Sequence, residues 1–144
     1  MLVSQILKSK SDDAVVTSPP TLLISEAAKI LSDKRIGTLV ISKSGKTPDG
    51  ILSERDIVRE LGRQGANCLT QTVDKLMTKK LVTCGIRDRA DAVLQQMTEG
   101  RFRHMPVLDN GEMVGLISLG DVVKARLTEL AMEKDALEGL IMGH

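Results

Sequence analysis

Gly115-Leu116-Ile117-Ser118-Leu119-Gly120-Asp121-Val122-Val123 ends a short apolar run at a serine, places a carboxylate three residues later, and passes into an amphipathic segment. That order describes a strand running directly into a helix, with Ser118 at the N-cap and Asp121 in the first turn. Such a corner gathers unpaired backbone N–H groups, a hydroxyl and a carboxylate in one small space. Gly50-Ile51-Leu52-Ser53-Glu54-Arg55-Asp56-Ile57-Val58 is a second copy of it.

Outward from the two corners, the order of elements repeats. Ala14-Val15-Val16-Thr17 predicts a short strand, stopped by Ser18-Pro19-Pro20. Leu23, Ala27, Ile30 and Leu31 share one helical face up to Asp33-Lys34-Arg35. Gly37-Thr38-Leu39-Val40-Ile41 is a β-branched strand, residues 42–49 a turn, and Gly50 to Leu52 a second strand. A helix from Ser53 carries Ile57, Val58 and Leu61. The second pass runs through Leu81-Val82-Thr83, then Ala90, Val93, Leu94 and Met97, then His104-Met105-Pro106-Val107-Leu108. It closes with the hairpin dipeptide Asn110-Gly111 and a strand from Met113 to Ile117. The register holds throughout: Thr17 to Thr83 is the same step as Arg35 to Arg101, and Ser53 to Ser118 the same as Asp56 to Asp121. The second pair of steps is shorter by a single position, taken up in the hairpin. This is an internal duplication with a period too long for a solenoid.

The expected fold class is α/β (α+β): two repeats, each strand–helix–strand–strand–helix, in one compact module with an extended C-terminal helix. The expected boundaries are 8–64 for the first repeat, 65–74 for a linker, 75–130 for the second repeat and 131–144 for the helix extension. Gly62, Gly65 and the polar residues through Thr72 read as linker, and Val73, Leu76 and Met77 as one short helix. At the start, Leu2, Val3, Ile6 and Leu7 suit a short docking helix, and residues 8–13 read as a loop. In the last helix Val123, Leu127, Leu130, Lys134, Leu137 and Ile141 alternate at four and three, a heptad seam interrupted once by lysine. Its first half has its own domain available to pack on. Its second half has no counterpart in repeat one to cover it, and is expected to pack against another subunit in a homodimer.

Composition narrows the function classes. The 144 residues are 42% hydrophobic and 27% charged, as in an ordinary soluble protein, with Phe102 as the single aromatic. The core must be aliphatic, and aromatic platforms for stacking single-stranded nucleic acid are absent. A formal net charge of +1 provides no basic footprint for a duplex, so no nucleic-acid partner is expected. No signal peptide or membrane span is legible. Cys68 and Cys84 stand outside any metal-ligand spacing and read as reduced thiols of a cytoplasmic protein. There is no nucleophile–base pair, metal-ligand cluster, P-loop or G-x-G-x-x-G, and the histidines are His104 and His144. An enzyme is not expected, nor a metal.

Val16-Thr17, Arg35-Ile36-Gly37-Thr38, the two Ser-x-x-Asp stretches, Val82-Thr83 and Arg101-Phe102-Arg103-His104-Met105-Pro106-Val107, in order and twice over, resemble a tandem pair of CBS domains, the regulatory module named after cystathionine β-synthase. The likeness is to the stand-alone bacterial type and covers nearly the whole chain. It implies a pseudo-twofold pair packed through its sheets, with two clefts between the repeats. It also implies an adenosine-containing ligand there, AMP, ADP, ATP, NAD(H) or S-adenosylmethionine, that regulates another, unidentified protein.

The residues agree with that chemistry. A carboxylate accepts both hydroxyls of a ribose with charge assistance, which suits Asp121 and Asp56. Phosphate favours a helix N-terminus, where Ser118 and Ser53 add a hydroxyl. Thr17 and Thr83 occupy positions that the resemblance assigns to ribose or adenine. Each Ser-x-x-Asp is equally a cap that serves helix stability, and the two roles need different partners. On an extended strand Arg101 and Arg103 would share one face, and Phe102 and His104 the other. The resemblance puts basic residues here against phosphates, favouring Arg103 and His104. The plainer alternative is a solvated arginine edge and a half-buried core histidine. Repeat one has Ile36-Gly37-Thr38 instead, so the clefts are expected to be unequal. Gly37 permits close backbone approach to a ligand, and Arg55 serves a phosphate or pairs with Glu54 or Asp56. Met105 and Pro106 suit an apolar wall for adenine, although methionine is more often core. The competing function is an interaction protein that works through its C-terminal helix over vestigial clefts.

Overall fold

The computed structural model describes residues 1–10 and 15–141. They form two compact units, each built on its own three-stranded sheet with order 1-2-3.

The first unit comprises residues 15–82 together with 111–113. Its strands are β1 (Thr17–Ser18), β2 (Thr38–Ile41) and β3 (Gly50–Ser53), with helices α2 (Ile24–Lys34) and α3 (Glu54–Gln64). Strand β1 runs parallel to β2, with Thr17 opposite Val40, and β2 runs antiparallel to β3, with Thr38 opposite Ser53. The β-branched and leucine run of β2 is buried along its whole length, as expected of the central strand. Ile24, Ala27 and Leu31 recur at three and four along α2 and close one face of the core against Leu39, Ile41, Leu52, Ile57 and Val73. A methyl group on Gly50 would lie 2.4 Å from Met77 Sδ, so glycine there admits the thioether over β3.

The second unit comprises residues 1–10, 83–110 and 114–141. It holds β4 (Cys84–Gly85), β5 (His104–Asp109) and, from Val114 onward, β6 (Glu112–Ser118), with α4 (Ala90–Gly100) and α5 (Leu119–Ile141). Asn110 and Gly111 both take positive φ, as a two-residue hairpin requires. The N-terminal helix α1 (Val3–Ser9) belongs to this unit rather than to the repeat that follows it in sequence. Val3 and Ile6 are fully buried beside Ala90, Val93, Met97, Met105, Val107, Ile117 and Val122. Backbone bonds from Val3 N to Asp88 O (2.8 Å), Ser4 N to Ile86 O (2.9 Å) and Ala90 N to Met1 O (3.0 Å) secure its start.

Several local expectations change. Lys8 and Ser9, expected in a loop, complete the last turn of α1, and residues 11–13 of that loop lie outside the described residues. So do residues 142–144 of the expected helix extension. The first strand is Thr17–Ser18, so Ser18 is inside it and Val15-Val16 precede it; Ala14 lies outside the described residues. Its counterpart is Cys84–Gly85, not Leu81–Thr83, so Cys84 sits on the strand. Proline explains that shift. In the first unit Val40 N donates to Val16 O at 3.3 Å, and the counterpart of Val40 in the second repeat is Pro106, which has no N–H to give. The ladder therefore starts one residue later, with Cys84 opposite Val107. Gly62 is helical within α3, and the connection beyond it carries 3₁₀ turns over Gly65–Thr70 and Val73–Lys75. Finally, α3 turns Ile57 inward with Asp56 and Glu60, while Val58 is 67% exposed. Arg63 and Gln64 satisfy Glu60 at 2.9 and 2.6 Å.

Candidate functional site

Both sequence corners fold into the same reciprocal cap. In the second unit Ser118 N donates to Asp121 Oδ2 at 2.9 Å, and Asp121 N donates to Ser118 Oγ at 3.1 Å. In the first, Ser53 N reaches Asp56 Oδ2 at 2.9 Å and Asp56 N reaches Ser53 Oγ at 3.2 Å. This is a capping box with aspartate as the returning acid. The cap and the carboxylate thus form one unit, which fixes each aspartate against the first turn of its helix.

The backbone in front of each corner repeats as well. Arg35 and Arg101 both end their helices in the left-handed region, at φ 54° and 57°. Two residues further on, Gly37 O accepts from Glu54 N at 2.9 Å, and Arg103 O accepts from Leu119 N at 2.7 Å. This corrects the strand reading of Arg101-Phe102-Arg103-His104: Arg101 is a helix C-cap and the strand starts at His104. Alternation along a strand therefore does not separate Arg103 from His104. The helix end and the carbonyl anchor place Arg103 next to the start of α5.

Around Asp121 the charged groups converge. Lys10 Nζ lies 3.0 Å from Asp121 Oδ2 and donates to Leu116 O at 2.7 Å. Burial works to raise the Asp121 pKa, but the Ser118 N–H and the Lys10 ammonium outweigh it and hold the carboxyl below its ordinary range. Burial also lowers the His104 pKa; the Asp121 charge opposes this, and Lys10 and Arg103 reinforce it. Burial therefore favours the neutral imidazole, while Arg103, exposed, joins Lys10 as a local cation. Met105 is fully buried in the core of this unit, Pro106 is buried, and Thr83 is exposed just before β4.

The first unit brings together a different set. Thr38 and Ser53 face each other across β2 and β3, Gly37 precedes them, and Thr17 is half-buried opposite Val40. Arg55 is exposed and pairs with neither Glu54 nor Asp56; the cation on Asp56 is Arg59, whose Nη2 is 2.9 Å from Oδ1. Arg59 was legible as an i,i+3 neighbour of Asp56. Lys10 was not, because it stands near the opposite end of the chain from Asp121.

Cys84 is buried, and burial with the nearby Asp88 charge pushes its thiol up to about 12. Among the described residues no group of three or more His, Cys, Asp or Glu is placed to hold a metal, and no helix is long and apolar enough to cross a membrane.

Two sheet-and-helix units, each closing on a capped Ser-x-x-Asp corner, define a tandem CBS-domain pair. The chain belongs to the CBS-domain family, whose sequence profile matches residues 3–63 and 73–128. It is 32% identical over 148 residues to the mitochondrial CBS domain-containing protein CBSX3 of Arabidopsis thaliana, covering 98% of this chain and 72% of that protein. To CBSCBSPB1 of the same plant it is 34% identical over 125 residues, spanning 86% of this chain but 22% of the relative. Among solved structures, a CBS-domain containing protein from Agrobacterium tumefaciens superposes with a TM-score of 0.81 at 42% identity, covering 88% of this chain and 99% of that one. The CBS domain pair of protein MJ0100, in complex with 5-methylthioadenosine and S-adenosyl-L-methionine, gives 0.76 at 25% identity, covering 90% and 98%.

Proposed function

We propose that this chain is a non-catalytic regulatory module that binds an adenine nucleotide, AMP, ADP, ATP or NAD(H), and acts on a partner protein through the change that binding makes. The observation that carries this reading is the duplicated corner. Asp121 and Asp56 are each held by a reciprocal cap at a helix start, where a carboxylate accepts ribose hydroxyls and the helix dipole favours an anion. Arg103, whose carbonyl holds the start of α5, makes the second corner the phosphate-preferring one, and Gly37 at the matching place leaves the first without that cation. Thr17 and Thr83 supply ribose or adenine contacts, Thr38 and His104 flank the two corners, and Pro106 borders the base. The adenosine-derived ligands of the MJ0100 pair support an adenosine-recognising site. Regulation follows if the ligand binds two states of the module with different affinity.

Calorimetry with AMP, ADP, ATP, NADH and S-adenosylmethionine tests the reading. Micromolar to submillimolar binding of a phosphate-bearing nucleotide is expected, with Asp121→Ala costing far more affinity than Arg55→Ala. Absence of binding by all five at millimolar concentration would overturn it.

Assembly as a homodimer is the second part of the proposal. Beyond Ala125 the α5 seam is bare, with Leu127 63%, Leu130 48%, Leu137 59% and Ile141 78% exposed. A repeating a/d seam of this kind is self-complementary, which favours a second copy of the chain as its cover. Sedimentation of a chain truncated before Met132 tests it; an unchanged dimer mass would count against α5.

A further inference from the structure

The ribose role proposed above for Asp121 meets an occupant already present in the chain. A cis-diol engages both oxygens of a carboxylate, and each oxygen accepts through two lone pairs. Asp121 Oδ2 already takes the Ser118 N–H at 2.9 Å and lies 3.0 Å from the Lys10 ammonium. The acceptor capacity of that oxygen is used. The Ser118 N–H is fixed by the start of α5, whereas Lys10 hangs on a four-carbon stem with three rotatable donors and keeps a second partner in Leu116 O. Lys10 is therefore the donor that a diol displaces.

The contact is not a generic surface pair. The Lys10 and Asp121 side chains are only 25% and 26% exposed, against 59% for Arg59, the cation on Asp56. Arg59 comes from the same helix as its aspartate. Lys10 comes instead from the C-cap of α1, where the chain leaves this unit for the strand carrying Thr17. Helix α1 is held independently by Val3 and Ile6 in the core, and Leu7 packs so closely on β6 that a methyl on Gly115 would fall 2.5 Å from its Cδ2.

We infer that Lys10 is a built-in latch on the second corner, a cation that competes with the ribose diol for Asp121 and is released when ligand binds. The inference rests on the adenosine-binding reading of that corner. Release would leave the body of α1 docked and free only its last residues, because the core contacts of Val3 and Ile6 do not depend on Lys10. It would also leave an unpaired ammonium beside His104, whose pKa Lys10 and Arg103 both already lower. A ligand carrying phosphate next to the ribose compensates that ammonium, and an uncharged nucleoside does not. Lys10 would thus set a preference for nucleotide over nucleoside at the same Asp121.

The test compares AMP and adenosine by calorimetry on the wild-type chain, Lys10→Met and Lys10→Gln. Loss of this partly buried ion pair predicts adenosine binding tighter by about two- to fivefold in both variants, with a smaller gain or none for AMP. In an Asp121→Asn background, Lys10→Met should leave adenosine binding unchanged and weaken only AMP, whose phosphate loses the ammonium. Amide exchange at Ser9 and Lys10 in the wild type should accelerate with AMP bound, while that of Ile6 stays unchanged. Weaker adenosine binding in Lys10→Met, or no change with AMP still bound, overturns the latch and leaves the nucleotide reading intact. Failure of every form to bind AMP or adenosine at millimolar concentration overturns both.

Discussion

Replacing Asp121 by asparagine separates the two tasks that the second corner combines. The amide oxygen of asparagine can still accept the Ser118 N–H, so the cap bond at 2.9 Å survives the change. The negative charge does not survive. A carboxylate in the first turn of a helix contributes about 0.3–1 kcal/mol against the helix dipole. The Lys10 pair contributes at most about 1 kcal/mol, because a quarter of each side chain remains in contact with water. Asp121→Asn should therefore lower unfolding free energy by about 0.3–2 kcal/mol at pH 7, read as an earlier urea midpoint with unchanged slope. The folded pKa of Asp121 is held below its ordinary value, so the charge stabilises the fold at pH above about 4 and that contribution is lost as pH falls through the lowered folded value. The wild-type and variant midpoints should accordingly converge in strong acid. Binding should respond far more than stability. Two hydroxyls donating to a carboxylate are worth roughly 1.5–3 kcal/mol each when charge-assisted, and an amide presents one acceptor, so AMP affinity should fall at least about tenfold. If the urea midpoint shifts as stated while AMP binding stays within about twofold, Asp121 is a cap alone and the ribose assignment is wrong.

Three further outcomes follow from packing and burial. Gly50→Ala places a methyl 2.4 Å from Met77 Sδ and should cost about 1–2 kcal/mol, and Met77→Ala in the same chain should recover part of that loss because the obstructing thioether is gone. Cys84, with its thiol near 12, and fully buried Cys68 should both resist a thiol reagent at pH 8 until denaturant unfolds the chain; rapid labelling of the folded form would contradict their burial. Leu127→Glu and Leu137→Glu fall on the bare seam of α5 and should yield a monomer with the stability of its own core intact, checked by sedimentation and by urea unfolding at matched concentration.

Much of the fold was legible because its rules are local. Ser53-x-x-Asp56 and Ser118-x-x-Asp121 place a cap hydroxyl and its returning acid within one turn, and both folded into reciprocal caps. Three-and-four spacing picked out the buried face of α4 and Ala27 and Leu31 on α2, where exposed Leu23 proved to be the N-cap and Ile24 the buried residue, and Asn110-Gly111 placed the hairpin. Duplication then tied these local signals to one family, because the register that pairs Arg35 with Arg101 and Ser53 with Ser118 in the sequence also pairs helix ends, strand ladders and caps in the fold. The edges of the short parallel strands were not legible, since two residues carry too little periodicity, and it took the missing Pro106 N–H to explain why β4 starts at Cys84.

What the sequence determined by itself was the set of groups available at each corner: a capped aspartate in both repeats, with Arg103 and His104 at the second and Gly37 and Thr38 at the first. What only tertiary structure decided was the company those groups keep. A seven-residue helix cannot bury its apolar face alone, and nothing in its spacing names the surface that covers it. The core of the second repeat's unit took Val3 and Ile6 from α1, and with them brought Lys10 from near the start of the chain to Asp121. Burial then set the protonation of His104, and the helix C-cap at Arg101 set the position of Arg103. Those are consequences of desolvation and long-range packing, which no local pattern encodes.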